Sequence, residues 1–439
     1  MKNAVRKPGK GWHNPGKTVL VLGLSLVLVL AFRSVAMAAT NGPHGSFTTN
    51  TASCAQCHRT HTAPSSHLIA FPLVSGTQND VYRTCIYCHS ATGSSHYDEV
   101  DGQIKDGTNL WATSAGGFQN MPVIEGGTSD ASVVAVTSKH QVDQPNGALV
   151  TIPGGSTNAG GKIQLTCESC HDPHGTANAR QLVTSVTVFN TAGTGWTSVN
   201  TTPTGQTISM TVNNPTTNES VTYNDDNLNT FCGACHTDYY QTAAGSGSAQ
   251  SGTYTTGLYR HRIGMPASGA SGFNATYFAL PTSGSGDVLC VTCHYAHGTT
   301  VTVSSSTYSG GATLLRMDER GVCQNCHRKT FSTSQPAVLG APNSYQISGD
   351  KTRVVVAYNS YMEKNSVQNP ANYTVTGGLT VTGAALQVNG VLGKTVLLTL
   401  SGTPAAGTSY TITVNTANVQ DLNGHTVSAS GNTFTFTGQ

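Results

Sequence analysis

The sequence predicts a chain in two parts, a long, mostly irregular region with short helices and, after it, an all-β sandwich. Three observations carry that expectation. All twelve cysteines lie between Cys54 and Cys326 and fall in closely spaced pairs. Only 37% of the 439 residues are hydrophobic and 10% charged, while Gly alone supplies 49, which is too lean for a large aliphatic core and too weakly charged for the usual disordered chain. From residue 336 onward there is no cysteine, and β-branched or aromatic runs alternate with turn residues.

Taken in order, the first element is an export signal over residues 1–38. Lys2, Arg6, Lys7, Lys10 and Lys17 precede an apolar run from Val19 to Phe32, and Ala36-Met37-Ala38 follows as a small-residue cleavage site. The run is short for a membrane span and Arg33 closes it, so cleavage after Ala38 is expected, leaving an exported chain with no stable membrane span. No cysteine follows that site directly, so lipid attachment is not expected. Removing the segment takes six of the 22 Lys and Arg and none of the 20 acids, so the mature chain carries −4. Such a balance argues against nucleic acid as a partner.

Residues 39–335 hold every cysteine pair, separated by stretches rich in Gly, Ser, Thr and Asn that read as loops with short helical turns. Within them, Leu182–Val188 and Thr207–Val212 alternate apolar with polar residues around a Gly/Thr/Pro stretch, which predicts a β-hairpin insert over 182–228. In residues 336–439, strands are expected at Arg353–Tyr358, Tyr373–Val375, Ala385–Val388, Thr395–Leu400, Tyr410–Val414 and Thr433–Phe436. Short strands at that spacing imply a β-sandwich.

The pairs read Cys54-Ala-Gln-Cys57-His58, Cys85-Ile-Tyr-Cys88-His89, Cys167-Glu-Ser-Cys170-His171, Cys232-Gly-Ala-Cys235-His236, Cys290-Val-Thr-Cys293-His294 and Cys323-Gln-Asn-Cys326-His327. Zinc ribbons also use Cys-x-x-Cys, and even cysteine counts in exported proteins usually mean disulfides, but neither needs a histidine after each pair. With 16 His in 439 residues, finding one after all six pairs by chance has a probability on the order of 10⁻⁹. Two thiols so spaced form thioethers to the two vinyl groups of one haem, and the next residue brings an imidazole beneath the iron. Six covalently bound c-type haems are therefore the expected cofactors. All twelve cysteines would be thioether donors, with His58, His89, His171, His236, His294 and His327 as proximal iron ligands. Haem would then fill the interior, and its propionates would take the net charge to about −10.

The sixth coordination position separates a wire from an enzyme, because an iron with two protein ligands passes electrons whereas an open position binds substrate. His61, His174 and His297 each follow a proximal histidine by three residues. Side chains at i and i+3 on a turn project side by side, whereas axial ligands of one iron lie on opposite porphyrin faces, so each of these is expected to reach a different haem. His44, His140 and His261 are the remaining candidate distal ligands. His67 and His96 are alternatives with a solvent-facing reading beside the ligand one, and His425 reads as a surface turn residue beside Asn-Gly. Met121, Met265 and Met317 are further alternatives. No Cys-x-x-Cys-Lys motif is present, which removes the commonest mark of a multihaem reductase site, and no catalytic residue is expected.

The Cys-x-x-Cys-His-x-x-His tetrads, above all Cys167-Glu-Ser-Cys170-His171-Asp-Pro-His174-Gly175, resemble the multihaem cytochromes of metal-reducing bacteria over about residues 40–330. That resemblance implies long-range electron transport toward extracellular acceptors, with other cytochromes as partners. It also implies possible self-association into filaments, with an axial histidine donated across the protomer boundary. The tail resembles the bacterial immunoglobulin-like domains of surface and S-layer proteins through Asn369-Pro370-Ala371-Asn372-Tyr373, Tyr410-Thr411-Ile412-Thr413-Val414, Asp421-Leu422-Asn423-Gly424 and Phe434-Thr435-Phe436. The expected fold is thus a mostly irregular, haem-packed cytochrome with short helices, followed by an all-β immunoglobulin-like sandwich. The insert and the tail set the chain apart from a plain filament cytochrome. Extracellular or cell-surface placement is expected, with the periplasm as the alternative. The rival functions are a reductase of a nitrogen or sulfur oxyanion with one open haem, and a surface-adhesive structural cytochrome.

Overall fold

The computed structural model describes residues 44, 54–59, 61–63, 68–69, 78–106, 109–122, 133–153, 162–184, 186–189, 196–199, 208–213, 220–224, 227–236, 263–270, 272–275, 278, 280–305, 308–311, 314–317, 321–327, 334–387 and 393–439. The expected export signal, His67 and His261 lie outside the described residues. The chain divides into two units. The smaller comprises residues 1–54 with 173–175, and in it the His44 ring Nδ1 lies 3.2 Å from the Pro173 carbonyl oxygen. The larger comprises residues 55–172 with 176–439 and holds every element below.

Helix α1 (Asp80–Cys88) starts at Asn79, whose Oδ1 accepts the Tyr82 N–H at 2.7 Å. The same amide donates to the Val142 and Gln144 carbonyls at 2.6 and 3.0 Å, so one N-cap both starts the helix and ties it to a loop sixty residues on. Three short strands follow as an antiparallel sheet: β1 (Tyr97–Asp98), β2 (Gln103–Asp106) and β3 (Asn109–Ala112). Then β4 (Asn120–Pro122) pairs with β5 (Val133–Ala135), β6 (Ser138–Lys139) waits for a distant partner, and β7 (Val150–Thr151) pairs with β8 (Lys162–Ile163).

The insert is two hairpins rather than one. β9 (Val186–Phe189) pairs with β10 (Trp196–Val199), and β11 (Met210–Asn213) pairs with β12 (Ser220–Tyr223). The runs expected to pair with each other instead each pair with a nearer neighbour, because the shorter loop costs less closure entropy. Helix α2 (Asn227–Gly233) carries Cys232 of the fourth cysteine pair, and α3 (Cys290–Cys293) and α4 (Gly321–Cys326) carry the last two pairs. Between the last two lie β13 (Gly298–Thr299), the partner of β6, and the hairpin β14 (Thr302–Ser305) with β15 (Tyr308–Gly311).

The C-terminal region is rich in β-sheet and immunoglobulin-like. Its first sheet runs β16 (Val338–Leu339), β18 (Arg353–Tyr358), β21 (Thr395–Leu400), β20 (Val381–Leu386), with β17 (Tyr345–Gln346) also on β18. A short helix α5 (Lys364–Val367) precedes the second sheet of β19 (Tyr373–Val375), β22 (Ser409–Val414) and β23 (Thr433–Thr437). Alternation decides the inner face: Val354, Val356 and Tyr358 meet Val396, Leu398 and Leu400 from the first sheet, and Tyr410, Ile412, Val414, Phe434 and Phe436 from the second. The strand expected at Ala385–Val388 begins earlier, at Val381, and passes a bulge between Val381 and Gly383. The polar-looking Val381-Thr382-Gly383 hides its pairing potential from a hydrophobic pattern.

Apolar burial before residue 330 is of another kind. Tyr82, Phe118, Val142, Ile152, Ile163, Leu165 and Ala234 form one small cluster, flanked by Cys167 and Cys235. Ile208, Leu228, Leu289 and Val291 form another, flanked by Cys232. A third, Leu280, Met317, Val322, Tyr361 and Leu422, is flanked by Cys293 and draws in the C-terminal domain.

Candidate functional site

All twelve cysteines are described and none forms a disulfide. In five of the six motifs the backbone makes the same turn. The histidine N–H donates to the carbonyl of the first cysteine: His89 to Cys85 at 3.0 Å, His171 to Cys167 at 2.9 Å, His236 to Cys232 at 3.0 Å, His294 to Cys290 at 3.0 Å and His327 to Cys323 at 2.8 Å. This is one helical turn, and residues i, i+3 and i+4 on such a turn share a face. Both thiols and the imidazole of each of these five motifs are thereby delivered to one side.

The three tetrad motifs share a second device. His58, His171 and His294 each form an isolated antiparallel bridge, with Ile69, Leu182 and Leu315. The residue before each bridge partner is a non-glycine with positive φ: Leu68 at 57°, Gln181 at 54° and Leu314 at 63°. Its carbonyl accepts the N–H of the residue after the histidine, in Arg59 to Leu68 at 2.7 Å, Asp172 to Gln181 at 2.8 Å and Tyr295 to Leu314 at 2.7 Å. A bulky residue held left-handed costs about 1–2 kcal/mol and recurs only where the surroundings enforce it. Three separate copies therefore mark one repeated local fold that turns the chain back over each tetrad.

Imidazole rings converge within the larger unit. His140 and His236 have ring centroids 6.1 Å apart, and His171 and His297 are 6.3 Å apart. In three of the rings Nδ1 is hydrogen-bonded to a carbonyl, Ala296 for His140 at 2.6 Å, Pro153 for His236 at 2.8 Å and Arg180 for His171 at 2.8 Å, while His297 Nδ1 lies 2.9 Å from the Glu99 carboxylate as an ion-pair contact outside hydrogen-bond geometry. A carbonyl oxygen only accepts, so Nδ1 carries the proton and Nε2 keeps the lone pair, which is the tautomer a metal takes. Desolvation drives the His140 pKa down to about 4 and lowers that of His171, where nearby His297 adds to the effect, so both rings are neutral at pH 7. Burial by itself would raise the Glu99 carboxyl, but His297, with His89 and Arg180 behind it, outweighs that and holds it below its ordinary value.

The thiols behave differently. Burial pushes Cys170 and Cys293 up to about 12 and Cys235 up to about 11. The Cys85 and Cys290 thiols are instead lowered, by hydrogen bonds with Cys167 and Cys232. Among the described residues no group of three or more His, Cys, Asp or Glu converges as an ion held by protein alone needs. A porphyrin supplies four of the six ligands itself and asks the protein only for paired axial groups, so the paired rings and the cysteine-edged apolar clusters fit haem.

Of the expected distal residues, His140 and His297 lie in these pairs, His44 meets the Pro173 carbonyl, and His61 and His174 are exposed. His96 stacks edge-on with Tyr97, and the Met317 sulfur accepts from the Asn325 amide at 3.3 Å. His425 lies against Asp421 at 3.4 Å in its turn. Two positioning residues had no motif to announce them. Glu99 sits in an ordinary loop, and Asn229, three residues before Cys232, accepts the Cys290 N–H at 2.8 Å and so registers one motif against the next.

Residues 332–438 match the family model described as a bacterial Ig-like domain. No curated protein matches the chain. Among solved structures it is similar to domains 1–6 of the surface layer protein SbsC, at 23% identity and a TM-score of 0.20 over 24% of this chain and 14% of that one. It is also similar to the S-layer protein rSbsC(31-844), at 22% identity and a TM-score of 0.19, again over 24% and 14%. The N-terminal part of the bacterial S-layer protein SbsC aligns at 24% identity and a TM-score of 0.19, over 24% of each chain. The match thus spans at most 24% of the length of these structures.

Proposed function

We propose that this chain is an exported six-haem c-type cytochrome that carries electrons between partner cytochromes and acceptors outside the cell, and that its Ig-like domain holds it at a surface. The single observation that carries the reading is a histidine directly after every one of the six Cys-x-x-Cys pairs. Haem, when bound, supplies reversible one-electron chemistry at iron. The chain supplies the rest. Paired thiols on one face of a helical turn give the covalent attachment, and the imidazole one residue on gives the first axial nitrogen. Carbonyls of Pro153 and Arg180 fix the tautomer of His236 and His171. Apolar clusters edged by Cys167, Cys232, Cys235 and Cys293 exclude water from the attachment sites.

Secretion of the intact chain from a host with c-type maturation machinery tests this. The purified protein should show a Soret band, a mass increase of six haems and no thiol reactive toward alkylation. An unmodified polypeptide mass, or zinc bound in stoichiometric amount, overturns it.

A further inference from the structure

We infer that His140 and His236 are the two axial ligands of the iron attached at Cys232 and Cys235, that His171 and His297 are those of the iron attached at Cys167 and Cys170, and that the two irons are direct neighbours in the electron path. The inference rests on the haem reading above. It adds what spacing could not give, the partner of each distal histidine.

The separations agree with one iron between each pair. Two Fe–N bonds of roughly 2 Å and the distance of roughly 1.1 Å from each ring nitrogen to its centroid put opposed axial imidazoles about 6.2 Å apart; the observed separations are 6.1 and 6.3 Å. Face-to-face stacking brings planes together, as Phe118 and His297 do at 4.3 Å and 23°, whereas edge-to-face contact shares the about 4.5–7 Å range of the two histidine pairs, so the committed Nδ1 atoms are what favour ligation. The two histidine pairs instead stand off at planes inclined by 49° and 69°. His140, His236 and His171 have Nδ1 hydrogen-bonded to a carbonyl, which leaves Nε2 as the coordinating atom in each, and His297 Nδ1 lies 2.9 Å from the Glu99 carboxylate.

Adjacency follows from strand register. β6 and β13 pair with Lys139 opposite Gly298, and the His140 N–H continues the ladder to the His297 carbonyl at 2.9 Å. Opposite residues of an antiparallel pair have Cβ atoms about 4.5–5.5 Å apart on the same face. A single two-residue ladder thus sets the two distal ligands side by side, each facing a proximal histidine from a different motif. His297 follows His294 by three residues yet serves the haem of the third motif, so the fifth motif clips itself to the third.

The test uses the secreted holoprotein and counts ferric high-spin haems by EPR, with haem content read from intact mass. His140→Ala and His297→Ala should each keep six haems and convert one of them to high-spin, with exogenous imidazole restoring low-spin; the double variant should convert two. In a Cys232→Ser/Cys235→Ser variant, which lacks one haem, adding His140→Ala should create no high-spin signal, while adding His297→Ala still should. Six low-spin haems in His140→Ala, or a persisting signal in the five-haem background, overturns the pairing with the haem reading intact; wild type without a Soret band overturns both. Should the cysteine variants not be secreted, holoprotein density decides: iron between His140 and any proximal histidine other than His236 overturns the assignment.

Discussion

In the six-haem protein proposed above, replacing Glu99 with Gln should raise the reduction potential of one haem. The Glu99 carboxylate lies 2.9 Å from His297 Nδ1, with side-chain exposures of 24% and 15%, so solvent screens the contact only in part. A negative carboxylate beside a ligand imidazole favours the ferric state and lowers the potential. The magnitude follows from removing the charge. At an effective dielectric of about 20 and roughly 7 Å from carboxylate to iron, 332/(εr) gives about 2 kcal/mol, which partial solvent screening reduces, so glutamine forfeits about 1–2 kcal/mol of ferric stabilisation. At about 59 mV for each 1.36 kcal/mol in a one-electron couple, the potential should rise by roughly 40–90 mV. Spectroelectrochemical titration of the holoprotein reads this as one sixth of the amplitude moving positive while the rest superimposes on wild type. A wholly superimposable curve, or a negative shift, refutes the carboxylate's part. Glutamine keeps the shape, so loss of fold would not confuse the result.

Three more outcomes are expected. Ile412 is fully buried between the two sheets of the C-terminal domain, so Ile412→Ala should cost that domain about 2–5 kcal/mol in calorimetry of the intact chain, while exposed Thr437→Ala stays within about 0.5 kcal/mol; equal effects would contradict the assigned faces. Gly321 lies against the Tyr361 ring, which any Cβ there would strike, so Gly321→Ala should cost about 1–3 kcal/mol by denaturant midpoint. Adding Tyr361→Leu should recover part of it, and strictly additive costs would refute the contact. Burial raises the Asp98 carboxyl to about 6 even though the Asp101 and Val100 N–H groups both donate to it at 3.1 Å. The folded chain then holds this proton more tightly than the unfolded chain, whose carboxyl titrates near 3.9. Stability should therefore fall as pH rises from about 4 to 6, by roughly 3 kcal/mol, and Asp98→Asn should remove that slope; an unchanged slope in the variant would refute it.

The strands of the C-terminal domain were legible because they bury one face against another sheet, and that geometry writes itself as alternation in Arg353–Tyr358 and Tyr410–Val414. The turn that brings each Cys-x-x-Cys-His motif together was legible because it is local, three residue types within one helical turn. Distal pairing was not. His140 meets His236 and His171 meets His297 across about a hundred residues, through a ladder between Ser138–Lys139 and Gly298–Thr299 that is too short and too polar to carry a pattern. Glu99 was invisible for a related reason, since a buried acid in a loop looks like any solvated one until its partner is placed. The left-handed Leu68 and Leu314 run against backbone preference, and no propensity argument would put a leucine there.

The distribution of apolar residues accounts for both halves of the chain. In the C-terminal domain seventeen buried side chains form one continuous cluster, and no cysteine touches it. Before residue 330 two clusters, of seven and of four buried apolar residues, are each edged by a motif cysteine, and other buried apolar residues such as Ile104 and Met121 lie outside both. Groups that small cannot offset the conformational entropy of the Gly-rich loops joining them, given about 1–2 kcal/mol for each backbone residue fixed. On the haem reading proposed above, they would wall a large, flat apolar body covalently held at the same cysteines. Low hydrophobicity and many glycines would then follow from one cause, a chain that wraps and registers prosthetic groups more than it packs against itself. The buried amides of Asn79, Asn178 and Asn229 do that registering, each joining segments thirty or more residues apart. Specific polar staples are the expected replacement for a core whose shape the protein does not itself supply.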